Sequence, residues 1–384
     1  MIDNMTNSFR TSNARLDGPG QLIANLPGFL GFYPEDSLIF AALEKTKSPG
    51  SFKLGPILRI NLEDIPLVPR VLASLKDYEV EFSSVLSFLV TERDREEVML
   101  SGRDISLLAA SNGVHLEGIW WAERVLSGEP YHCLFGPPFG AGPPSPACHS
   151  GVIPPVTQAV SLGKLAEHGE LPEISRLDAF RHVARDNHRV TDCEAEQLSD
   201  FARSYAIELV TQITETSPYR KAFHPGPWDT VDGIVEDVGY LLTEIEEQDL
   251  SVEELMDQQE ILLSAAVFLS ANLLRDIILE DLVVRPRPAA RLMLALARTF
   301  GGSIRANALC GYSVAYLRQG LSMRALPALS RAVEEFPGHT LSEMLHINCH
   351  LGLFDNVIDR VRRGSRSVRI TYGIADPEHS DAAA

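Results

Sequence analysis

Between Gly136 and Pro155 the chain places seven prolines and four glycines. Proline lacks an amide donor and glycine loses the most backbone freedom on ordering, so no regular element runs through such a segment. On its N-terminal side apolar residues come in short runs bounded by turn residues. On its C-terminal side they recur every three or four positions. Two periods on either side of a breaker predict two domains. The length of 384 residues, set against a prior of about 150 per domain, agrees with that.

In the first half, Ser37–Leu43 and Pro56–Leu62 read as strands of a hairpin with a long loop at Lys45–Lys53. Asp64–Leu75 has helical spacing, Val85–Val90 is a third strand, and Glu92–Ser111 is a helix stopped by Asn112-Gly113. His115–Ala122 and Tyr131–Phe135 add two more strands, joined through Ser127-Gly128. Strands alternating with helices imply crossover units, and the hairpins make the sheet mixed. The expected division is a flexible arm over 1–20, an α/β domain over 21–135, and a linker or ordered loop over 136–157. A helical domain over 158–363 and a flexible tail over 364–384 complete it.

The helical half carries amphipathic stretches at Leu198–Ile213, Val231–Ile245, Glu253–Leu282, Ala289–Phe300, Ile304–Leu317, Met323–Glu335 and Leu341–Leu351. The most apolar of them, Ile261–Leu274, is shorter than the roughly 20 residues that span a bilayer and reads as a buried helix. The polar start at Met1–Gly20 has no apolar run of the signal-peptide kind. Five widely spaced cysteines do not make a disulfide framework. Together these features predict a cytoplasmic chain with reduced thiols and no membrane association.

Hydrophobic residues at 45% exclude wholesale disorder, and a net charge of −18 excludes a generally basic nucleic-acid binder. The charge is segregated. Ala222–Leu274 holds twelve acidic residues and no Lys or Arg, whereas the chain from Arg275 onward has fourteen Arg against eleven acids. Arg360, Arg362, Arg363, Arg366 and Arg369 crowd its end. Two readings stand: an acidic face or Arg-rich tail that recruits a partner, or acids and arginines that pair within the molecule.

Leu26–Phe40 (LPGFLGFYPEDSLIF), with Leu30-Gly31-Phe32, Pro34 and Ser37-Leu38, resembles the start of an uncharacterised actinobacterial family of unknown function. Leu274-Arg275-Asp276 and Ala308–Pro337 resemble its helical end. Where a cysteine pair is expected in that family, this chain has Phe135 and Gly136. The resemblance implies the two-part architecture and no activity. Ala306–Pro337 also resembles a tetratricopeptide repeat, through Tyr316, Ala325, Leu329, Ala332 and Pro337, with Leu309 and Ser313 departing from the pattern. That resemblance implies a concave peptide groove formed by Asn307, Cys310, Val314, Leu317 and Arg318, unless other helices cover these side chains.

Candidate chemistry is sparse. Pro34, Glu35, Asp36 and Ser37 have turn composition, and their functional reading is the mouth of a pocket at the strand ends. Trp121 belongs to the same reading, because alternation sends Trp120 and Trp121 to opposite faces and leaves one ring available for stacking. His132-Cys133 and Cys148-His149 are zinc-type ligands without zinc-type spacing, so no metal is assigned. Cys193 has acidic neighbours that oppose thiol activation. Phosphate-loop, nucleophile-elbow and zincin motifs are absent, and no cofactor is implied. The expected function is a protein–protein interaction or scaffolding module acting through the helical domain. The alternative is an enzyme or small-ligand binder using the strand-end pocket.

Overall fold

The computed structural model describes residues 3–5, 16, 18–46, 52–75, 82, 84–135, 150–216 and 230–374. The chain divides into two compact units, Met1–Ala179 with Cys349–Gly352, and Phe180–Asn348 with Leu353–Ala384.

The first unit is built on a mixed sheet: β1 (Asp3–Met5), β2 (Ser37–Lys45), β3 (Phe52–Asn61), β4 (Ser84–Val90), β5 (Leu116–Ala122), β6 (Pro130–Phe135) and β7 (Gly151–Val152). Its order is β1-β3-β2-β4-β5-β6-β7. The pair β4/β5 is parallel and the others are antiparallel. The expected hairpin is β2/β3, in register from Ser37↔Asn61, with a bulge between Ala41 and Leu43. The crossover between the parallel strands is α3 (Arg95–Ser111), whose N-cap Asp94 accepts from the amides of Glu96 and Glu97. It is closed by Asn112 and by Gly113 at φ 70. The helix α2 (Val68–Ser74) and α3 bury Val71, Leu72, Val98 and Ile105 with Phe40, Leu58, Leu89 and Trp121 on one sheet face.

On the other face Trp120 stacks on Phe88 at 5.6 Å. Both tryptophans are therefore buried, at 1% and 7% exposure, which corrects the expectation of a free ring. Alternation did place them on opposite faces, but this sheet is covered on both.

Two segments read as irregular are ordered. Residues 3–5, in the expected flexible arm, pair with β3. Pro19–Leu30 forms α1, starting on Pro19 and ending at Gly31 in the left-handed region, which is what Leu30-Gly31-Phe32 encodes. Internal Pro27 hid this helix from a periodicity reading. The expected linker at 136–157 lies in part outside the described residues, and its end is structured. Gly151 and Val152 pair with β6, and Ile153 exchanges backbone hydrogen bonds with Gly128 and Glu129. Next, α4 (Val160–Glu167) docks on α1: the Ser161 amide donates to Asn25 Oδ1 and the Ser161 hydroxyl to the Asn25 carbonyl, both at 2.9 Å. The unit therefore ends near residue 179, not at 135.

The second unit is all-helical: α5 (Arg176–His182) leads into it, followed by α6 (Asp192–Thr216), α7 (Thr230–Glu247), α8 (Val252–Met256), α9 (Gln259–Ser270) and α10 (Asn272–Val284). It continues with α11 (Pro286–Thr299), α12 (Gly302–Arg318), α13 (Ser322–Glu335), α14 (Thr340–His350) and α15 (Phe354–Tyr372). The stretch read as one helix over Glu253–Leu282 is three. Ala271 is extended between α9 and α10, which bend by 116°. Asn307 Nδ2 takes up the Leu269 carbonyl beside that break, at 2.9 Å. Among the described residues no single helix is long and apolar enough to cross a membrane. Residues 364–372, expected in a flexible tail, continue α15.

A built Cβ on Gly28 would sit 2.7 Å from the Ser161 backbone carbon, so α1 and α4 touch through the missing side chain. Gly28→Ala is expected to cost about 1–3 kcal/mol through overpacking, read as a lower midpoint in chemical denaturation.

Candidate functional site

At the sheet edge where β2 begins and β4 and β5 end, the predicted residues do converge. Asp36, at φ 38, accepts from the Thr91 hydroxyl at 2.5 Å and lies 3.7 Å from Arg93. The Thr91 carbonyl takes the Trp121 indole N–H at 2.9 Å. Ser37 donates to the Glu35 carbonyl at 2.6 Å and accepts from Arg59 Nε at 2.9 Å. Pro34 is buried, while Glu35 and Asp36 are exposed. These polar groups satisfy one another, and the Ser37 hydroxyl is fully buried. The arrangement closes a strand-end turn and offers no free nucleophile.

The groove expected from the repeat resemblance is closed. Asn307, Cys310, Val314 and Leu317 are buried and Arg318 is exposed. The helix that carries them, α12, is buried from Ile304 to Leu317 without a break. The close approach of α11 shows at Gly311, where a built Cβ would meet Met293 Sδ at 2.7 Å. On the other side the Ser313 hydroxyl reaches the Ala325 carbonyl of α13 at 3.1 Å. A helical hairpin exists, but its inner face is core.

An open trough lies elsewhere on this unit, between α10, α14 and α15, with a volume of about 450 Å³. Each helix gives it one stripe at three- and four-residue spacing. From α10 come Asn272, Arg275, Asp276 and Leu279; from α14 come Leu341, Met344, Leu345 and Asn348. From α15 come Val357, Arg360, Val361 and Val368. Its floor is aliphatic, with Leu279, Leu345, Val357 and Val361 buried, while Met344 is 54% exposed at the rim.

The polar end of the trough is braced from beneath. Arg275 donates to Asp276 Oδ1 at 2.7 and 2.9 Å, to Asn272 Oδ1 at 3.1 Å and to Asn307 Oδ1 at 3.0 Å. His339 Nε2 lies 3.1 Å from the same Asn307 oxygen, and His339 Nδ1 lies 3.3 Å from the Ser342 amide nitrogen. An amide oxygen only accepts, so Nε2 carries the proton and Nδ1 receives the amide of Ser342. Burial, and then the charge of Arg275, lower the His339 pKa and keep the ring neutral. Asn307 is thus a buried hub below the trough, not a lining residue.

The far wall depends on α15, which presents a second stripe to α10. Arg366 Nε meets Glu280 Oε1 at 2.6 Å, Arg362 Nε lies 3.7 Å from the same atom, and Arg369 bonds Asp281. Ser365 bridges the Ile277 carbonyl and the Glu280 amide. Three of the five terminal arginines are therefore spent inside the molecule. The acidic window is partly spent as well: Asp249 pairs with Arg291, Glu253 with Arg298, Glu246 with Arg285 and Asp257 with Arg189. Pairing within the molecule accounts for these charges.

Cysteine chemistry recedes too. Cys133 is disulfide-bonded, which corrects the expectation of reduced thiols at that one residue and withdraws it from any zinc set, since the ligand would be a thiolate; Cys193, Cys310 and Cys349 are free thiols. Cys148 and His149 lie outside the described residues. Burial pushes the Cys310 and Cys349 thiols up to about 12, while Cys193 is exposed and free. Among the described residues no group of three or more His, Cys, Asp or Glu side chains is placed to hold a metal ion.

A family model for a domain of unknown function, DUF4192, matches residues 19–354. The chain belongs to this family. No curated protein and no solved structure matches it. The DUF4192 match covers the strand-end turn, α10 and α14, and stops as α15 begins. Sequence reasoning met Leu274-Arg275-Asp276 only as part of the family resemblance. The aliphatic stripes of α14 and α15 carried no signal to separate a trough from a core.

Burial raises the Asp281 pKa from 3.8 to about 6, against the pull of Arg369. The folded chain therefore holds this proton more tightly than the unfolded chain does. Its contribution to stability grows as pH falls from 7 through about 6. Denaturation at pH 7 and pH 5 is expected to show wild type gaining stability relative to Asp281→Asn at the lower pH.

Proposed function

We propose that the chain is a protein–protein interaction module, a scaffold whose helical unit receives a segment of a partner in the trough between α10, α14 and α15. The observation that carries this reading is a trough between three helices with an aliphatic floor, where Met344 stands in solvent at the rim. Apolar surface costs free energy while it faces water, and an apolar side chain from a partner removes that cost. The groove first expected on α12 does not serve, because α11 and α13 fill it. A strand-end enzyme is not favoured, because Asp36, Ser37 and Thr91 are committed to hydrogen bonds there and the Glu35 carboxylate stands at the surface.

The test is selection of displayed random peptides on the full-length protein and on Met344→Asp, an exposed position where a charge leaves the fold intact. The expected result is enrichment of peptides with spaced aliphatic or aromatic residues on wild type and loss of that enrichment on the variant. No enrichment, or equal enrichment on both proteins, overturns the reading.

A further inference from the structure

The trough follows α15 from Val357 to Val368, roughly 16 Å at the helical rise per residue. That is about three turns, and the walls are themselves helix stripes. An amphipathic helix laid in such a channel anchors itself at i, i+3, i+4 and i+7. The shape therefore suits a helix better than an extended strand, which would need an unpaired sheet edge.

Charge narrows the occupant further. Of the charged groups lining the trough, Arg275 and Asp276 are bound to each other. His339 is held neutral by the bonds described above. Arg360 is exposed, and among the described residues it has no ion pair and no hydrogen bond. Its neighbours on α15 differ: Arg362, Arg366 and Arg369 all face Glu280 or Asp281. The trough thus carries one uncompensated positive charge beside an aliphatic floor.

Building on the reading of this unit as an interaction module, we infer that the trough takes an amphipathic helix of a partner protein, with an acidic residue beside its apolar stripe that pairs with Arg360. The acid supplies orientation and the apolar stripe supplies affinity, because an exposed ion pair contributes little by itself.

The experiment uses full-length protein and fluorescent synthetic helices with leucines at i, i+4 and i+7, flanked either by glutamate or by lysine, read by anisotropy at low and high salt. Wild type is expected to bind the glutamate peptide about fivefold more tightly than the lysine peptide, with the difference shrinking at high salt. Arg360→Glu is expected to reverse the order. Equal affinity for both peptides on both proteins, with binding still lost in Met344→Asp, overturns the acidic helix and leaves the module reading standing. Absence of binding, or binding that survives Met344→Asp, overturns both. A concentration-dependent dimer abolished by Met344→Asp assigns the trough to a second copy and overturns the inference.

Discussion

Glu280 and Asp281, consecutive on α10, are both withdrawn from water, and α15 supplies the charges that make their burial tolerable. Everything that gives the helical unit an open face depends on that grip. If α15 were not seated on α10, Leu279 would lose the walls that turn an apolar helix stripe into a trough. Buried ion pairs add little net stability over a well-packed apolar contact, because desolvation offsets the attraction. What they impose is register: Arg362, Arg366 and Arg369 meet their acids in one rotational setting of α15, and that setting turns Val357, Val361 and Val368 to the trough. Ser365, bonded to the α10 backbone, fixes the same setting by a second route.

The polar end of the trough obeys a similar economy. Asn307 is 2% exposed, yet its side chain joins the Leu269 carbonyl, Arg275 and His339. A buried amide with one partner missing would be costly. With all of them present it ties the α9–α10 break, the α12 helix and the α13–α14 turn at one point. The trough is therefore rigid at its polar end and open at its aliphatic rim, where Met344 stands in solvent. At the polar end Arg275 and Asn307 are committed to structure, while Asn272, Thr340 and Arg360 are exposed beside Met344.

Much of the architecture was legible in the residues. The β2/β3 hairpin, β4, α3 and β5 follow from short apolar runs and the Asn112-Gly113 stop, all local signals. Leu30-Gly31-Phe32 reads only as part of a family resemblance, and Pro27 breaks the pattern that would have revealed α1 before it. The long stretch over Glu253–Leu282 read as one helix because its composition is uniformly helical. Its break at Ala271 lies where Asn307, more than thirty residues away, captures the Leu269 carbonyl. Apolar spacing over Leu341–Leu351 showed that Leu341 and Leu345 would face something, but not whether that something was a neighbouring helix or solvent.

By itself, then, the sequence determined the two-part composition of the chain, the period of each half and the segregation of acids from arginines, because these depend on neighbours along the chain. Tertiary structure decided which face stayed open. The groove that a repeat-like hairpin implied was filled by α11 and α13, and an opening arose between α10, α14 and α15. It also decided the meaning of the charges: the terminal arginines that could have met a phosphate backbone are mostly turned inward onto Glu280 and Asp281. Whether a charge or an apolar stripe is spent inside the molecule depends on contacts between residues far apart in the chain, and no local pattern carries that information.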